Sequence, residues 1–248
     1  MLKFWALDDG YLEINQRGLF GESVEDIKFR IPIHCFLVKT EDQLILIDTG
    51  CGTYFGPTAG RLGKSLKKTG HSPDQVTLIF CTHLHPDHIG GLSLFPNATL
   101  CVSEREVKYW INPESEVSEY NKKYVPFVRE MVASHQGKIL LIRPGEEIVP
   151  GVTSVEAYGH TPGHTAFLFE LNDQKLLIWG DLVHKADLQF PHPGRLVVID
   201  DNPEAAAIAR MRLLGVAADE KLLVGGAHLP DPGLFQVSRL GGIFELLN

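Results

Sequence analysis

The sequence is poor in cysteine and has no apolar run long enough to cross a membrane. Its 248 residues contain four cysteines, which are far apart and form no Cys-x-x-Cys pair. Cys35, Cys81 and Cys101 lie in apolar, strand-like runs, which favours buried and reduced thiols. The first residues show neither a long apolar stretch nor a small-residue cleavage site. These absences predict a cytoplasmic protein without a signal peptide.

Clusters of basic residues are also missing. The chain carries 23 Lys and Arg against 31 Asp and Glu, a formal net charge of −8. Such a charge repels nucleic-acid phosphates and anionic lipids, so we expect a small-molecule substrate and neither nucleic acid nor membrane as partner. No repeat, linker or low-complexity segment is visible. Residues 1–248 are therefore predicted to form a single domain.

Short β-rich runs alternate with helical patterns along the chain. The patterns predict helices at 58–69, 104–111, 119–136 and 203–216, with Pro126 marking a start or a kink. They predict strands at 33–39, 43–48, 76–82, 98–103, 138–142, 152–157, 165–171, 175–179, 222–224 and 243–246. Strands and helices mixed in this way favour an α/β (α+β) fold with sheets covered by helices.

One stretch concentrates potential metal ligands directly after a predicted buried strand. His83, His85, Asp87 and His88 fall within six residues and are followed by two glycines. Imidazole and carboxylate are the ligands of zinc and of comparable divalent metals. Single surface histidines are usually solvated, but four ligands in this pattern argue against that alternative. His83 and His85 can turn towards one point, and Asp87 and His88 towards a second, adjacent point.

A site for two metals needs further ligands and a bridging group. The chain offers His160 and His164 in a His-Thr-Pro-Gly-His motif, Asp181 at a strand end, and His228 after two glycines and an alanine. Each of them follows or flanks a predicted strand, which can hold a ligand in place. Spacing alone leaves the choice between His160 and His164 open.

Taken in order, these motifs resemble those of the metallo-β-lactamase-fold hydrolases. The resemblance covers most of the chain and is carried by Ile47-Asp48-Thr49-Gly50, His83-x-His85-x-Asp87-His88, His160-Thr-Pro-Gly-His164, Gly180-Asp181 and His228. It implies an αββα sandwich, with two mixed sheets flanked by helices and both metals at one edge between the sheets. It also implies that His160 is the ligand and that His164 supports the site.

The resemblance assigns a role to each ligand. It implies that the first metal takes His83, His85 and His160, that the second takes Asp87, His88 and His228, and that Asp181 bridges them. Asp48 is similar to the aspartate that orients the ligand imidazoles, a partner that such sites need. We expect two divalent metal ions, most readily zinc. Manganese, iron and cobalt are alternatives, because the same ligands suit them.

Two branches of this superfamily share further motifs with the chain. Residues 55–62 and 227–233 are similar to those of the methyl parathion hydrolases, which implies an aromatic pocket of Phe55, Trp110 and Phe127. Plain core packing is the alternative for these three rings. Residues 31–38 are similar to those of the acyl-homoserine lactone lactonases, where a tyrosine follows the bridging aspartate by three residues. Here that position is His184, either a hydrogen-bond donor to the substrate or a solvated loop residue.

The function predicted from these observations is metal-assisted hydrolysis. A hydroxide that bridges the two metals would cleave a neutral, apolar ester-type bond, whether in a lactone, a carboxylic ester or an organophosphate triester. Asp87 or Asp181 would pass the proton to the leaving group, and His184 would act on the substrate oxygen. The alternatives are a metal-binding sensor without turnover and a sulfur-dioxygenase-like oxidoreductase. A homodimer is expected from the resemblance only.

Overall fold

Two mixed β-sheets face each other in the computed structural model, which describes residues 3–171 and 174–247. The first sheet has the order β1-β2-β3-β4-β5-β6, antiparallel from β1 to β3 and parallel from β3 to β6. Its strands are β1 Lys3–Asn15, β2 Lys28–Lys39, β3 Leu44–Ile47, β4 Leu78–Phe80, β5 Thr99–Ser103 and β6 Ile139–Ile142.

The second sheet has seven strands in the order β13-β12-β11-β10-β9-β8-β7. Neighbouring strands in this sheet pair antiparallel, except β10 and β11, which pair parallel. Its strands are β7 Glu147–Val149, β8 Val152–Glu156, β9 Thr165–Leu171, β10 Gln174–Ile178, β11 Leu223–Gly225, β12 Leu234–Leu240 and β13 Ile243–Leu247.

Helices cover the outer faces of both sheets. The α-helices of the described residues are α1 Gln16–Phe20, α2 Leu62–Lys68, α3 Pro86–Ile89, α4 Glu104–Ile111, α5 Val125–Ser134, α6 Ala186–Gln189 and α7 Pro203–Asp219. Leu66 of α2 and Val128 of α5 join one buried cluster with the first sheet. Leu213 of α7 joins another with the second sheet. The predicted αββα sandwich is confirmed.

The inner faces of the sheets form a third apolar cluster between them. Phe80 of the first sheet packs against Phe167 of the second, with ring centroids 5.0 Å apart. Cys101 belongs to this cluster, whereas Cys35 and Cys81 belong to the one between the first sheet and its helices. All four cysteines are buried and free. Within the described residues, no helix is both long and apolar enough to span a membrane.

Several boundaries differ from those predicted. Helix α2 begins at Leu62 rather than at residue 58, because Gly60 holds a positive φ of 80° and interrupts the helical backbone. Helix α5 begins at Val125, with Pro126 in its first turn, and a 3₁₀ turn at Lys122–Tyr124 replaces the start predicted at residue 119. Strands β1, β7 and β12 were not predicted.

Candidate metal centre

The predicted ligands come from loops that leave the sheets at one edge of the sandwich. Strand β4 leads into the loop that carries His83 and His85, and β8 leads into the loop that carries His160. Asp181 follows β10, and His228 follows β11. The ligand atoms converge in two groups, each with all its atoms within 4.8 Å of one another: His83, His85 and His160 in the first, and Asp87, His88, Asp181 and His228 in the second.

Two imidazoles of the first group are oriented by an acceptor on the outer nitrogen. Nδ1 of His160 lies 2.7 Å from the Asp200 carboxylate, and Nε2 of His85 lies 2.8 Å from Oδ1 of Asn121. A neutral imidazole has one N–H and one lone pair, so these acceptors turn the lone pairs inward. The inward nitrogens meet closely: Nδ1 of His85 lies 2.9 Å from Nε2 of His83 and 3.0 Å from Nε2 of His160.

The second group is oriented in the same way. Nδ1 of His88 donates to Asp48 over 2.8 Å, and Nδ1 of His228 donates to the Pro32 carbonyl over 2.8 Å. Their Nε2 atoms lie 3.0 Å and 3.2 Å from the two carboxylate oxygens of Asp181. Asp181 lies between the groups, because its Oδ2 is also 3.4 Å from Nε2 of His160.

Burial and charge divide the imidazoles into two classes. Burial, as the largest effect, lowers the pKa of His85 and of His160 to about 3, which leaves both neutral at pH 7. Burial acts on His228 as well, but the carboxylates of Asp181 and Asp87 outweigh it and raise the pKa of His228 to about 10. The second group therefore holds positive charge next to two carboxylates in the metal-free protein.

The donor set fits two divalent cations. Five imidazoles and two carboxylates are the ligands that zinc takes in proteins. Nε2 of His88 and Oδ1 of Asp181 lie 3.0 Å apart, yet neither makes a hydrogen bond with any described residue. Buried polar atoms without a partner are costly, and a bound cation would satisfy both atoms.

Asp48 and His164 lie outside both groups and support them. Asp48 has a positive φ of 56° and accepts hydrogen bonds from the backbone N–H and the hydroxyl of Thr82, as well as from His88. His164 accepts a hydrogen bond from the backbone N–H of Asp181 over 3.2 Å and donates to the Ala157 carbonyl over 2.9 Å. His164 thus positions the residue that lies between the groups.

A cavity of about 150 Å³ opens above the ligands. His184 lines it, and both nitrogens of this buried ring lack a hydrogen-bond partner among the described residues. Nε2 of His184 lies 3.4 Å from Oδ2 of Asp181. The opposite walls are mainly apolar and include Leu12, Ile14, Leu19, Ile31, Phe55 and Ile199, with Tyr120 and Tyr124 beside them.

Of the three aromatic residues predicted for the pocket, Phe55 lines the cavity, and Trp110 and Phe127 do not. Trp110 is fully buried in the core, where its indole N–H donates to Glu106. The ring of Phe127 packs on Tyr54, with centroids 4.4 Å apart. Trp110 is therefore a core residue rather than a pocket residue. Phe127 is half-buried against Tyr54, which also packs on Phe55 of the cavity wall, and its place in the pocket stays a prediction.

Sequence reasoning missed Asp200 and Asn121, which orient two of the imidazoles, and the tyrosines of the cavity wall. Asp200 stands in an Asp-Asp-Asn-Pro run that is typical of a helix start. Indeed, Asn202 of this run caps helix α7 by accepting a hydrogen bond from the N–H of Ala205. The partnership of Asp200 with His160 spans 40 residues and has no local signal.

Comparison with known proteins points to hydrolases of similar length. N-acyl homoserine lactonase AiiA of Bacillus thuringiensis subsp. kurstaki is 26% identical over 220 residues, 80% of this chain and 81% of the relative. A probable metallo-hydrolase of Mycobacterium tuberculosis is 29% identical over 251 residues, covering 83% of this chain and 76% of the relative. The expectation of a metal-dependent hydrolase is confirmed by these relatives.

Two solved structures superpose on 99% of this chain and on 94% of their own chains. One is the hydrolase AbOPH of the beta lactamase superfamily, with a TM-score of 0.91 and 26% identity. The other is AidC, a dizinc quorum-quenching lactonase in complex with a product, with a TM-score of 0.90 and 29% identity. These relatives support the lactonase resemblance, and they do not specifically support the one to parathion hydrolases.

The family profile described as the metallo-beta-lactamase superfamily matches residues 30–228, a span that contains every residue of the two ligand groups. This match agrees with the αββα layers and with the position of the ligands at one edge of the sheets. The chain belongs to the metallo-beta-lactamase superfamily.

Proposed function

We propose that this protein is a dinuclear-metal hydrolase that opens the ring of a small, neutral lactone carrying an apolar substituent. The observation that carries the proposal is the position of the two ligand groups at the base of a mainly apolar cavity. Relatives named as lactonases, one of them a dizinc enzyme, support it. We also propose that zinc is the native metal and that the seven predicted ligands hold it as the family resemblance implies.

The chain's own residues would prepare the site for hydrolysis. Two bound divalent ions would supply a Lewis acid for the ester carbonyl and lower the pKa of the attacking water. Asp181 lies within 3.4 Å of imidazoles from both groups and would hold the two groups at a fixed distance from each other. Asp87 is partly exposed and lines the cavity, so its carboxylate can carry a proton to the leaving oxygen.

His184 is placed to act on the substrate. Its ring lines the cavity, and its nitrogens make no hydrogen bond with any described residue. The backbone N–H groups of His184 and Lys185 donate to Oε1 of Gln189 over 2.7 Å and 2.9 Å, which fixes the start of this loop. We propose that His184 donates a hydrogen bond to the carbonyl oxygen as charge develops there.

The size of the cavity favours a compact substrate. Pockets for drug-sized ligands measure roughly 300–1,000 Å³, whereas this cavity measures about 150 Å³. A small lactone ring with a short apolar chain suits a space of this size. The apolar walls match the neutral part of such a substrate, since burying apolar surface favours binding.

A reconstitution screen tests the proposal. Metal-free protein is loaded with zinc, manganese, iron or cobalt and assayed on acyl-homoserine lactones, δ-lactones, p-nitrophenyl esters and paraoxon-type triesters. We expect kcat/KM for the preferred lactone to exceed that for the triester by at least about a hundredfold, a difference of roughly 3 kcal/mol in transition-state binding. A chelator should abolish the activity.

Two variants serve as controls in the same screen. Asp181→Asn should lose bound metal and lower kcat by orders of magnitude, whereas Asp74→Asn alters an exposed residue far from the ligands and should change neither. Fully loaded protein that turns over no lactone, ester or triester would contradict the proposal. That result would favour a metal-binding sensor that retains the ligands without turnover.

A further inference from the structure

A buried glutamate outside both ligand groups joins the loops that carry the first group. Glu106 of α4 is fully buried, with 0% of its surface exposed. Its Oε1 accepts hydrogen bonds from the Leu84 N–H over 3.0 Å and from the Trp110 indole over 2.7 Å. Its Oε2 accepts from the Thr161 hydroxyl over 2.7 Å and from the Gly163 N–H over 3.0 Å.

Three of these four donors belong to the metal-ligand loops. Leu84 lies between His83 and His85, and Thr161 directly follows His160. One carboxylate therefore holds both loops that supply the imidazoles of the first group. Hydrogen bonds to an ionised acceptor are roughly twice as strong as those between neutral groups, so the two loops are firmly linked through α4.

Helix α4 and the second of these loops approach each other closely at Gly163. A Cβ atom at Gly163 would lie 2.2 Å from the backbone nitrogen of Glu106 and 2.6 Å from its Cα. Backbone therefore packs directly on backbone at this point, and the glycine of the His-Thr-Pro-Gly-His motif is required by this approach. Neither side can yield here as a flexible side chain would, so a side chain at position 163 would push the loop away from α4.

A buried carboxylate is costly unless its lone pairs are satisfied. Burial raises the pKa of Glu106, and the hydrogen bonds from Leu84 and Thr161 act in the opposite direction. Across the two loops, the inward nitrogens Nδ1 of His85 and Nε2 of His160 lie only 3.0 Å apart. Small changes in loop separation would therefore alter how well these nitrogens can share one ion.

We propose that Glu106 is a positioning residue that sets the affinity of the His83, His85 and His160 group for its metal ion by fixing the separation of the two loops. This inference rests on the proposed metal centre. The inference goes beyond the ligands themselves: Glu106 would not contact the ion, and would act through the backbone of the loops that carry the ligands.

The test is zinc binding by Glu106→Gln. Glutamine has nearly the same volume, but its amide nitrogen would face donors where a carboxylate oxygen now accepts. Competition titration with a chromophoric chelator should show a tenfold to hundredfold loss of affinity at one site. The affinity of the other site should change less than threefold. The absorption spectrum of the cobalt-loaded variant should differ from that of wild type, because the geometry of the first site is altered.

Three further variants separate positioning from folding. Glu104→Gln lies on the same helix but pairs with the exposed Arg143, so it should leave zinc affinity unchanged. Leu213→Ala removes core packing on the opposite sheet and should lower stability without weakening zinc binding. Thr161→Val deletes one donor at nearly constant volume and should weaken the first site, even if Glu106→Gln does not fold.

The outcomes distinguish this inference from the proposed function. Wild-type protein that binds fewer than two zinc ions would overturn the proposed function itself. Wild-type protein with two ions, together with unchanged affinity in Glu106→Gln and Thr161→Val, would overturn only the role of Glu106. If Leu213→Ala loses as much zinc affinity as Glu106→Gln, the positioning role is also overturned, because Glu106 would then act only by stabilising the fold.

Discussion

A hydrogen bond on one ring nitrogen decides which nitrogen each imidazole turns towards the site. Asp200 does this for His160 and Asn121 does it for His85, over 2.7 Å and 2.8 Å. The motifs around Asp48 allowed its role to be predicted by resemblance. The partners of His160 and His85 lie 40 and 36 residues away, so no local pattern could reveal them.

Asp200→Asn tests this dependence on a single residue. The substitution removes the charge that orients His160 and stabilises its inward lone pair, so metal affinity should fall roughly tenfold to a hundredfold. Zinc competition titration measures the change. Asp219→Asn is the matched control, because Asp219 pairs with Arg239 at the surface. Equal zinc affinity in Asp200→Asn and wild type would contradict the role of Asp200.

At the scale of elements, strands with continuous apolar runs were the most predictable. β9 lies at Thr165–Leu171, the range that its apolar pattern predicted. β1 was missed because Asp8, Asp9 and Gly10 interrupt its pattern, and the register of its pairing shifts at this point. The start of α2 depended on a residue distant in sequence, since the N–H of Leu62 donates to Asp9 over 2.7 Å.

Asp9 anchors the segment between β3 and α2, and its removal should destabilise the fold. Its buried carboxylate accepts hydrogen bonds from the backbone N–H groups of Cys51, Gly60 and Leu62. The donors of Cys51 and Leu62 are buried, whereas Gly60 is exposed. Each buried donor left without a partner costs about 1–3 kcal/mol, so Asp9→Ala should lower the free energy of unfolding by about 2 kcal/mol or more.

Urea denaturation measures this loss, with exposed Asp74→Ala as the control. A loss below about 1 kcal/mol in Asp9→Ala would contradict the anchoring role, because one unsatisfied buried donor already costs that much.

For the whole molecule, the sandwich places the ligands from both sheets at a common edge. The sequence predicted this arrangement by resemblance, and the structure brings all seven residues into the two groups. The cavity above them was less predictable, because its walls combine β1, α1 and the segment around Tyr120, which are distant in sequence. Aromatic residues such as Trp110 carry no signal that separates a pocket wall from the core.

Metal binding should depend on pH because the second group holds a proton when no metal is bound. The carboxylates of Asp181 and Asp87 raise the pKa of His228 to about 10 against the effect of burial. A cation needs the lone pair that this proton occupies, so binding releases the proton below pH 10. The association constant should therefore rise up to tenfold per pH unit for each proton displaced.

Calorimetry at pH 6.5, 7.5 and 8.5 in buffers of different ionisation enthalpy measures the released protons. His228→Gln, which has no proton to lose at this position, should show a weaker dependence on pH. Zinc binding without proton release in wild-type protein would contradict the electrostatic account of the second group.

Anomalous diffraction from crystals of zinc-loaded protein tests the central claim most directly. The account predicts two peaks, one among His83, His85 and His160 and the other among Asp87, His88 and His228, with Asp181 in contact with both. A single peak, or zinc bound away from these side chains, would contradict it.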